Sequence, residues 1–379
     1  VFISIYTDMG GGEYGLYHLL EHLDRRAVDP ILVVNGDGPL PERVRALGIR
    51  VITIPFEVVT LRAFFGGKGL RRNYAAALEL RRLMAREGVE AVSCTDVLSL
   101  LLLLPSLFSI PLRVIYHVIF FYEPSRKALF NLLALLFVDR IVVLSEAMRR
   151  DLASVTIGLA AKIDVSYWGV DVGRFRSLTS EERRTARSAA GLPTDAMLVG
   201  LVGRYEVWKG HMTFLDAMSR LCAERSDVRA LIVGGAMTSA VIPEVAQYHA
   251  RVRERIDAFT PAGALIVLGH RDDVATIMAS LDVVVCPSDR EPYGLVVLEA
   301  LACDVPVVVS SSVGALEVVE GKKGVFVCAP KDMESLYGAI KSAISCSIGA
   351  DDLTKVAKTD MNWPSWSDYA RLVQRKISE

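Results

Sequence analysis

The sequence lacks several features that would mark particular classes of protein. Its 43 Lys and Arg residues nearly balance 44 Asp and Glu residues, for a formal net charge of −1. A chain without a basic excess carries no general signature of nucleic-acid binding. Its six cysteines are scattered and form no C-x-x-C pair, which argues against a zinc knuckle and a disulfide framework. We expect buried free thiols in a reducing compartment.

The sequence also shows neither an apolar run long enough to span a membrane nor a recognisable signal peptide. Residues 96–109 are very apolar, but the stretch is short, Pro105 interrupts it and Arg113 follows soon after. It therefore predicts a buried helix. The chain begins at Val1 directly in an apolar run, without a leader-like segment. We expect a cytoplasmic protein, with peripheral contact to the inner face of the plasma membrane as an open alternative.

Two nucleotide-binding patterns are absent as well. No Asp-x-Asp motif occurs, so a carboxylate pair that would hold a diphosphate through a metal ion is not indicated. Gly10-Gly11-Gly12 follows a predicted strand at residues 1–6 and precedes a helix from about Tyr14, but its spacing is not G-x-G-x-x-G. The glycines still allow a phosphate to approach the backbone closely. A simple tight turn is the alternative.

What the sequence does contain is a regular alternation of apolar runs with helical segments. At 379 residues, with 52% hydrophobic residues and a mean hydropathy of +0.35, the chain can bury two cores. Short β-branched runs such as residues 31–34 and 230–233 are typical of buried parallel strands. The pattern predicts an α/β protein of two Rossmann-like, doubly wound domains, with the charged segment 177–196 as the hinge.

One strand–loop–helix–strand unit organises the second half. Residues 281–285 predict a buried strand, residues 287–289 break it, and residues 305–309 return as the next strand. We expect Pro292 near the first position of a helix that begins at about Tyr293, where a missing N–H costs little. The loop then lies at the carboxyl end of a strand, where open α/β sheets bind ligands.

Two glutamates of this unit are unusual for their surroundings. Glu299 lies in an apolar helix, where a carboxylate is costly unless hydrogen bonds are donated to it. Glu291 lies at the predicted start of the same helix, where free N–H groups attract anions. If both residues are helical, they are about 12 Å apart, roughly the length of a nucleotide-sugar. The alternative is a helix-start charge and a paired core carboxylate.

A pair of cations follows the first strand of the second domain. Residues 197–203 predict that strand, Arg204 comes at its end, and Lys209 precedes a helix that begins at about Met212. Cations at this position suit a diphosphate, because charge-assisted hydrogen bonds stabilise phosphate oxygens. Two solvated surface charges are the alternative. In the first domain, residues 112–117 predict a strand that ends in His117, and a histidine at such a position is commonly structural.

These residues resemble a known enzyme family. Glu291 and Glu299, inside Pro-Ser-x-x-Glu-Pro-Tyr-Gly and Glu-Ala-Leu-Ala, resemble the signature of the retaining glycosyltransferases of family 4, which have the GT-B fold. Gly-Arg-x4-Lys-Gly, which contains Arg204 and Lys209, is similar to the family element that neutralises the leaving diphosphate. Trp168 stands where the family usually has Asn, so that position is given no ligand role. The resemblance covers nearly the whole chain and is strongest over residues 198–330.

The resemblance implies two Rossmann-like domains that face a central cleft. Residues 1–175 would form the acceptor-side domain, with a C-terminal helix at 364–379 packing back on it, and residues 176–363 would bind the nucleotide-sugar. Glu291 would contact the donor sugar, Glu299 the ribose, and His117 would hydrogen-bond the sugar. The implied catalytic residues are His117, Glu291, Arg204 and Lys209, and the implied donor-binding residues are Gly11, Gly12, Arg204, Lys209, Glu291, Tyr293, Gly294, Leu295 and Glu299.

The resemblance also implies a reaction. A hexosyltransferase-type enzyme would move a sugar from a nucleoside-diphosphate sugar to a hydroxyl acceptor by same-face attack, with the leaving phosphate helping to deprotonate the acceptor. We expect no cofactor and no metal, because paired cations can replace a metal at the diphosphate. A glycan or lipid-linked glycan acceptor in bacterial polysaccharide or glycolipid assembly fits two apolar and basic stretches, residues 59–73 and 120–137, which also suit a membrane contact.

Two other functions stay open at this point. A nucleotide-sugar 2-epimerase shares the two-domain architecture and would act without an acceptor. A non-catalytic protein that closes two lobes on a sugar is the second alternative, although paired cations and a buried Glu299 exceed what a neutral sugar needs. The sequence does not identify the nucleotide, the sugar, the acceptor or the oligomeric state.

Overall fold

The computed structural model describes residues 1–56, 67–154, 158–236, 243–348 and 363–379. Of the apolar and basic stretch at 59–73, residues 59–66 lie outside the described residues. The chain divides into two compact units, Val1–Gly169 with Pro364–Glu379, and Val170–Trp363. We expected the boundary after residue 175, whereas residues 170–175 belong to the second unit.

The first unit is built on a seven-stranded parallel sheet with the order β3-β2-β1-β4-β5-β6-β7. Its inner strands are almost entirely buried, as the β-branched runs predict for a sheet covered on both faces. Its strands are β1 (Phe2–Ser4), β2 (Ile31–Val34), β3 (Arg50–Thr53), β4 (Ala91–Cys94), β5 (Arg113–Val118), β6 (Arg140–Val143) and β7 (Ile163–Val165).

Helices of this unit connect the parallel strands. The described helices are α1 (Gly11–His22), α2 (Pro39–Ala46), α3 (Gly67–Arg86), α4 (Val97–Leu107), α5 (Pro124–Phe137) and α6 (Glu146–Ala153), with a short 3-10 helix at Leu159–Lys162. The predicted buried helix at residues 96–109 is confirmed as α4, and the Asp96 carboxylate caps its first N–H groups. None of the described helices combines the length and apolar character needed to cross a membrane.

The second unit has a six-stranded parallel sheet with the order β10-β9-β8-β11-β12-β13. Its strands are β8 (Met197–Val202), β9 (Val228–Val233), β10 (Leu265–Gly269), β11 (Val283–Cys286), β12 (Val307–Ser310) and β13 (Val325–Cys328). Its described helices are α7 (Ser180–Ala189), α8 (His211–Glu224), α9 (Pro243–Asp257), α10 (Val274–Ser280), α11 (Leu295–Ala302), α12 (Leu316–Val319) and α13 (Met333–Ile348), with a 3-10 helix at Val207–Lys209.

Both sheets confirm the predicted Rossmann-like architecture. In each, the strand order reverses beside the first strand of the unit, between β1 and β4 and between β8 and β11. Loops that leave the carboxyl ends of strands on the two sides of such a reversal diverge, and the crevice between them is where open α/β sheets bind ligands. The fold therefore assigns the loops after β1, β8 and β11 to potential binding edges.

Two predicted helix starts are wrong. Helix α1 begins at Gly11 and not near Tyr14, so Gly11 and Gly12 form its first turn and Gly10 is the residue before it. Helix α11 begins at Leu295, after Gly294 in a left-handed conformation with φ of 89°. Pro292 and Tyr293 are therefore not helical, because the left-handed Gly294 separates them from the helix.

The last helix of the chain, α14 (Trp366–Ser378), belongs to the first unit and packs on α1 and β5. Where the chain leaves that unit, Gly169 runs directly against the returning segment. A Cβ atom on Gly169 would lie 2.2 Å from the backbone nitrogen of Trp366 and 2.6 Å from the carbonyl carbon of Ser365. Glycine is therefore required where the outgoing and the returning chain meet.

The cysteines are all free, and five of them are buried, as the sequence predicts. Cys346, on α13, is the exception because it is exposed. Burial raises the pKa of the Cys286 thiol, at the end of β11, to about 11. That thiol is therefore protonated at neutral pH and behaves as a small apolar side chain.

Candidate functional site

The loops after β8 and β11 of the second unit pack tightly on each other. Gly210 has a left-handed φ of 74°, and a Cβ atom there would lie 2.4 Å from the carbonyl oxygen of Pro287. Asp289 donates its backbone N–H to the carbonyl oxygen of Trp208 at 2.6 Å. Because Gly210 has no side chain, the two loops can approach closely enough for their functional side chains to meet.

Lys209 and Glu291 meet across these loops. The ammonium Nζ donates to Glu291 Oε2 at 2.7 Å, and both side chains are largely buried. Burial works against the charged ammonium, but the attraction of Glu291 outweighs it and raises the pKa of Lys209 above its usual value. The two residues predicted to act on the diphosphate and the sugar are therefore held together as a charged pair.

Glu291 is positioned by backbone pairing and not by a helix. It forms an isolated parallel bridge with Val313, and its carbonyl oxygen accepts a hydrogen bond from the N–H of Gly314 at 3.1 Å. The helix-based separation of about 12 Å from Glu299 therefore does not apply to this structure. The error comes from Gly294, whose left-handed conformation the sequence pattern did not signal.

Arg204 lies close to this pair. It follows β8, about half of its side chain is exposed, and its charge opposes the charged form of Lys209. Its guanidinium Nη2 is 4.0 Å from Glu206 Oε1, at the limit of an ion pair. Arg204 and Lys209 thus place two cations at the carboxyl edge of β8, where an anionic ligand could compete with the acids that now face them.

Glu299 is the unsatisfied acid of the site. It lies on α11 and is half-buried, and among the described residues no donor hydrogen-bonds its carboxylate. Burial raises the pKa of Glu299 to about 7, while the charges of Arg174 and Lys209 pull it down. A carboxylate in this state gains from hydroxyl groups that a ligand would supply.

Gly294, the residue that delays the start of α11, also leaves the first turn of that helix without a capping side chain. Gly294 has no side chain to cap the first N–H groups of the helix, and a Cβ atom at this position would lie 2.7 Å from Val313 Cγ1. Val297 donates its N–H to the carbonyl oxygen of Gly294 at 3.0 Å, whereas the N–H groups of Leu295 and Val296 have no acceptor among the described residues. Leu295 therefore opens a helix whose first amides could receive an anion, and its role in binding the donor stays a prediction. Tyr293 is buried, so its side chain packs in the protein core.

The predicted glycines of the first unit lie at the carboxyl end of β1, beside the strand-order reversal. Gly11 has open space around its missing side chain, whereas a Cβ atom on Gly12 would lie 2.4 Å from Ile119 Cδ1. Gly10 provides no capping side chain, although Glu13 accepts a hydrogen bond from the Gly10 N–H at 3.1 Å. The start of α1 thus resembles that of α11 in leaving its first amides uncapped.

His117 lies inside the first unit and is engaged by protein atoms at both ring nitrogens. Its Nε2 is 2.9 Å from Ser93 Oγ, and its Nδ1 is 2.7 Å from the hydroxyl of Tyr369 on α14. Burial lowers the pKa of His117 to about 4, so the ring is neutral at physiological pH. A hydrogen bond to a sugar would require one of these partners to be released, and the role of His117 stays a prediction.

Arg174 is a residue of the site that was not predicted from the sequence. Its guanidinium lies 5.4 Å from the centre of the Phe175 ring, and its charge attracts Glu299. The Asp171 carboxylate accepts from the backbone N–H groups of Gly173 and Arg174 at 3.0 Å each, which fixes the turn. No sequence pattern pointed to Arg174, because its position depends on this turn.

Of the predicted residues, the structure brings Arg204, Lys209, Glu291 and Glu299 together in the second unit. Gly11, Gly12 and His117 belong to the first unit. Within the described residues, one group of side chains has the chemistry to hold a metal ion, and it lies on α1. The charged site of the second unit is not part of that group.

Comparisons with known proteins agree with this arrangement. A family model described as glycosyl transferases group 1 matches residues 182–360. A second model, glycosyltransferase family 4, matches residues 9–174. The two models thus account for most of the second and the first unit, respectively.

Curated relatives match part of the chain. The D-inositol 3-phosphate glycosyltransferase of Mycobacterium leprae is 34% identical over 191 residues, which are 50% of this chain and 42% of that protein. An uncharacterized glycosyltransferase of Methanocaldococcus jannaschii is 27% identical over 236 residues, or 61% of this chain and 58% of that protein. The chain thus spans about half the length of the curated relatives it matches.

Solved structures match over the full chain. Anabaena Alr3699/HepE, solved in complex with UDP and glucose, has a TM-score of 0.83 at 20% identity and covers 100% of this chain and 98% of its own. The sucrose-phosphate synthase of Thermosynechococcus elongatus has a TM-score of 0.80 at 19% identity and covers 99% and 96%. At these identities the likeness shows the fold, and it confirms the predicted GT-B fold.

Proposed function

Because the chain belongs to the family 4, group 1 glycosyltransferases, we propose that it transfers a sugar from a nucleoside-diphosphate sugar to a hydroxyl acceptor with retention of configuration. The observation that supports this proposal best is the charged group formed by Arg204, Lys209, Glu291 and Glu299 at the strand-order reversal of the second unit. An epimerase or a binding protein would not need a hydroxyl acceptor.

The cations of this group suit the leaving diphosphate. When the bond between the anomeric carbon and the diphosphate oxygen breaks, negative charge develops on that oxygen and positive charge on the sugar. Arg204, Lys209 and the uncapped amides at Leu295 would stabilise the departing charge. Preorganised donors in a partly buried site cost little reorganisation at the moment of bond breaking.

The acids suit the two ends of the donor. Glu299, which has a raised pKa and no donor among the described residues, would accept from the ribose hydroxyls. Glu291 would contact the sugar once a phosphate takes over Lys209. In the transfer itself, the acceptor oxygen bonds to the anomeric carbon on the face from which the diphosphate leaves, and the acceptor proton passes to a diphosphate oxygen. Gly11, Gly12 and His117 keep the roles that the resemblance implies, as predictions.

No cofactor or metal is needed for these steps. Two cations and a helix start supply the positive charge that a divalent ion would otherwise bring to the diphosphate. We therefore propose metal-independent transfer. The donor is a nucleoside-diphosphate sugar of unassigned base, and UDP, which is present in the Anabaena structure, is one candidate among several.

The experiment is a donor screen followed by product analysis. UDP-, GDP- and ADP-sugars are incubated with the protein, and release of nucleoside diphosphate is measured with and without simple glycoside acceptors. We expect one nucleotide series to be hydrolysed slowly and turned over faster with an acceptor, giving a product whose anomeric configuration, assigned by NMR, matches the donor. Inverted product, or conversion of the donor into an epimer without an acceptor, would contradict the proposal.

A membrane-proximal acceptor is supported by one face of the first unit. Helix α5 exposes Leu132, Leu135 and Leu136, which share a helix face because they are three and four positions apart. Phe108 is 78% exposed, and its ring contacts Phe137 at 5.7 Å between ring centres. Exposed apolar side chains grouped on one helix are typical of an interaction site, and we assign this one to a lipid surface that carries a lipid-linked glycan.

The basic part of this face is smaller than the sequence suggested. Lys127 donates to the Asp151 carboxylate at 3.0 Å, so its charge is neutralised within the unit, while Arg126 is exposed. We expect binding to depend mainly on the leucines. In co-sedimentation with vesicles of anionic and of neutral lipids, Leu132→Ser with Leu136→Ser should reduce binding several-fold, whereas Val327→Ser, an exposed apolar position of the second unit, should not.

A further inference from the structure

Helix α1 presents three side chains that can ligate a metal ion and that the proposed transfer does not use. His18, Glu21 and His22 are three and four positions apart, so they lie on one face of the helix. One ligand atom from each side chain lies within 4.8 Å of the other two. Two histidines four positions apart on a helix face form the arrangement with which zinc proteins hold their ion.

The spacing of these atoms is close to that of a metal site. Glu21 Oε2 is 2.9 Å from His18 Nδ1. Around a tetrahedral zinc ion with bonds of about 2.1 Å, neighbouring ligand atoms are about 3.4 Å apart. Because Glu21 and His22 are exposed, rotation of these two side chains can bring their ligand atoms around an ion held by the partly buried His18, with water as the fourth ligand.

Neighbouring groups already orient these ligands. The Tyr17 hydroxyl donates to Glu21 Oε1 at 3.2 Å and leaves Oε2 on the side of the histidines. His22 Nδ1 is 2.9 Å from the carbonyl oxygen of His18, and since a carbonyl only accepts, this nitrogen carries the proton. The Nε2 atom of His22 then bears the lone pair with which a histidine ligates, and the exposed ring has to turn to bring it to Glu21 Oε2, from which Nδ1 is now 3.6 Å away.

His18 is oriented by the last helix. Its ring stacks on Trp366 of α14, with ring centres 4.6 Å apart and ring planes at 21°. This stacking limits the rotation of the imidazole, as outer partners do in known metal sites. An ion bound to His18 would also stiffen the contact between α1 and α14.

We propose that His18, Glu21 and His22 bind a divalent transition-metal ion of the zinc type. Two imidazoles and one carboxylate suit Zn²⁺, Ni²⁺ or Cu²⁺, whereas Mg²⁺ and Ca²⁺ prefer oxygen ligands. The role is structural, because the ligands belong to the first unit and hold the end of α1. The proposal is independent of the proposed transfer, in which no metal takes part.

The test is calorimetric titration of the untagged, chelator-treated protein with ZnCl₂. We expect one ion per chain with a Kd of about 10 μM or tighter. His22→Ala and Glu21→Gln should each weaken binding at least about tenfold. The matched control is His270→Ala, an exposed histidine of the second unit with an acid 3.9 Å away, which should bind as the parent does.

Two further measurements distinguish the loss of a metal ligand from damage to the fold. His18→Ala also removes the ring stacked on Trp366, so thermal melting without metal checks each variant, and His22→Ala should melt as the parent does. Co²⁺ should give the visible absorption of a tetrahedral complex in the parent and lose it in Glu21→Gln. Parent binding weaker than about 100 μM, or equal binding by parent and His22→Ala, would overturn the proposal.

Discussion

The Nζ atom of Lys209 lies 2.7 Å from Oε2 of Glu291, so two residues assigned to different parts of the donor bind each other. A largely buried carboxylate needs such a partner, because an unpaired charge in this place would be costly. When a diphosphate arrives, it can draw Lys209 away and release Glu291 toward the sugar. If the proposed function is right, donor binding and the release of Glu291 from its ion pair are coupled through Lys209.

This coupling predicts the effect of removing the lysine. Lys209→Ala should lower kcat by about 10²- to 10³-fold, because it deletes a cation that stabilises the leaving diphosphate. It should also lower the melting temperature of the unliganded protein, since Glu291 is left without its partner. Steady-state release of nucleoside diphosphate and calorimetry measure the two effects.

A second lysine–carboxylate pair in the same unit provides the control. Lys331 Nζ is 2.5 Å from Asp289 Oδ2, but Lys331 is mostly exposed, so the pair contributes little. Lys331→Ala should keep kcat within a factor of about two. If both alanine variants lose activity equally, Lys209 has no special part in the reaction.

Glu299→Gln should stabilise the unliganded protein while weakening its binding of donor. The pKa of Glu299 is raised from its usual value to about 7, so the ionised form is disfavoured in the folded state. The parent therefore loses stability as pH rises between about 4.5 and 7, by at most about 3 kcal/mol, and glutamine avoids this loss. Melting at pH 8 and at pH 4.5 should show a stabilised variant at the higher pH and no difference at the lower.

Donor affinity should change in the opposite direction. A ribose hydroxyl bonded to a carboxylate contributes about 1.5–3 kcal/mol, so Glu299→Gln should weaken donor binding about 10- to 100-fold at pH 8. In the parent, affinity should decline as pH falls below about 7, where the carboxylate takes up its proton. A variant that is stabilised yet binds donor as the parent does would show that Glu299 is only a strained core acid.

Gly210→Ala should disrupt the site through the backbone. The residue has a φ of 74°, and its added carbon would lie 2.4 Å from the carbonyl oxygen of Pro287. The loops after β8 and β11 would have to separate, which moves Lys209 away from Glu291. We expect loss of most activity and a destabilisation of more than about 1 kcal/mol, measured by denaturant unfolding.

Gly338→Ala is the matched substitution at a position without this constraint. Gly338 lies in α13 and has open space around its missing side chain. An alanine there should stabilise the protein by about 0.5–1 kcal/mol and leave activity unchanged. Similar losses in both glycine variants would argue against a special role for the contact with Pro287.

Tyr369→Phe tests whether His117 acts on the substrate. The change removes the hydroxyl that is 2.7 Å from His117 Nδ1 and should cost about 1 kcal/mol of stability. If His117 hydrogen-bonds the sugar, kcat should change several-fold, and His117→Gln should abolish most of it. Loss of stability in both variants with parental kcat would make His117 a structural histidine.

Metal independence is tested by activity in excess EDTA. We expect the rate to stay within a factor of about two, because the proposed function assigns the positive charge at the diphosphate to Arg204 and Lys209 and not to a metal ion. A strong loss that Mg²⁺ or Mn²⁺ restores would contradict this prediction. Loss that only Zn²⁺ restores, and that His22→Ala reproduces, would instead point to the ion on α1.

The sequence was sufficient for the fold because its strands are buried on both faces. Runs such as residues 31–34 and 305–309 have few alternatives to a parallel sheet: β2 has the predicted bounds, and β12 lies within two residues of the predicted ones. The cations after β8 were also placed correctly, since a strand end and a helix start bracket them. Elements that depend only on residues close together in the chain are therefore predicted well from the sequence.

The predictions that failed concern features that depend on contacts between residues far apart in the sequence. Nothing near Gly294 shows that it is left-handed and packed on Val313, and this one residue moved the start of α11 and took Glu291 out of the helix. The bond from His117 to Tyr369 likewise joins residues from opposite ends of the chain. The free acid of Glu299 was predicted, but the nearby charge of Arg174 became visible only once the turn at Asp171 was known.

The contact of Gly169 with Trp366 has a practical consequence for protein engineering. Because the outgoing chain at Gly169 touches the returning chain at Trp366, the second unit is inserted into the first at a single point. In a chain from which residues 170–363 are removed, a short linker could join Gly169 to Pro364. The ends of the excised unit would likewise need no long linker. Whether the first unit folds without the second can therefore be tested in a chain shortened by one deletion.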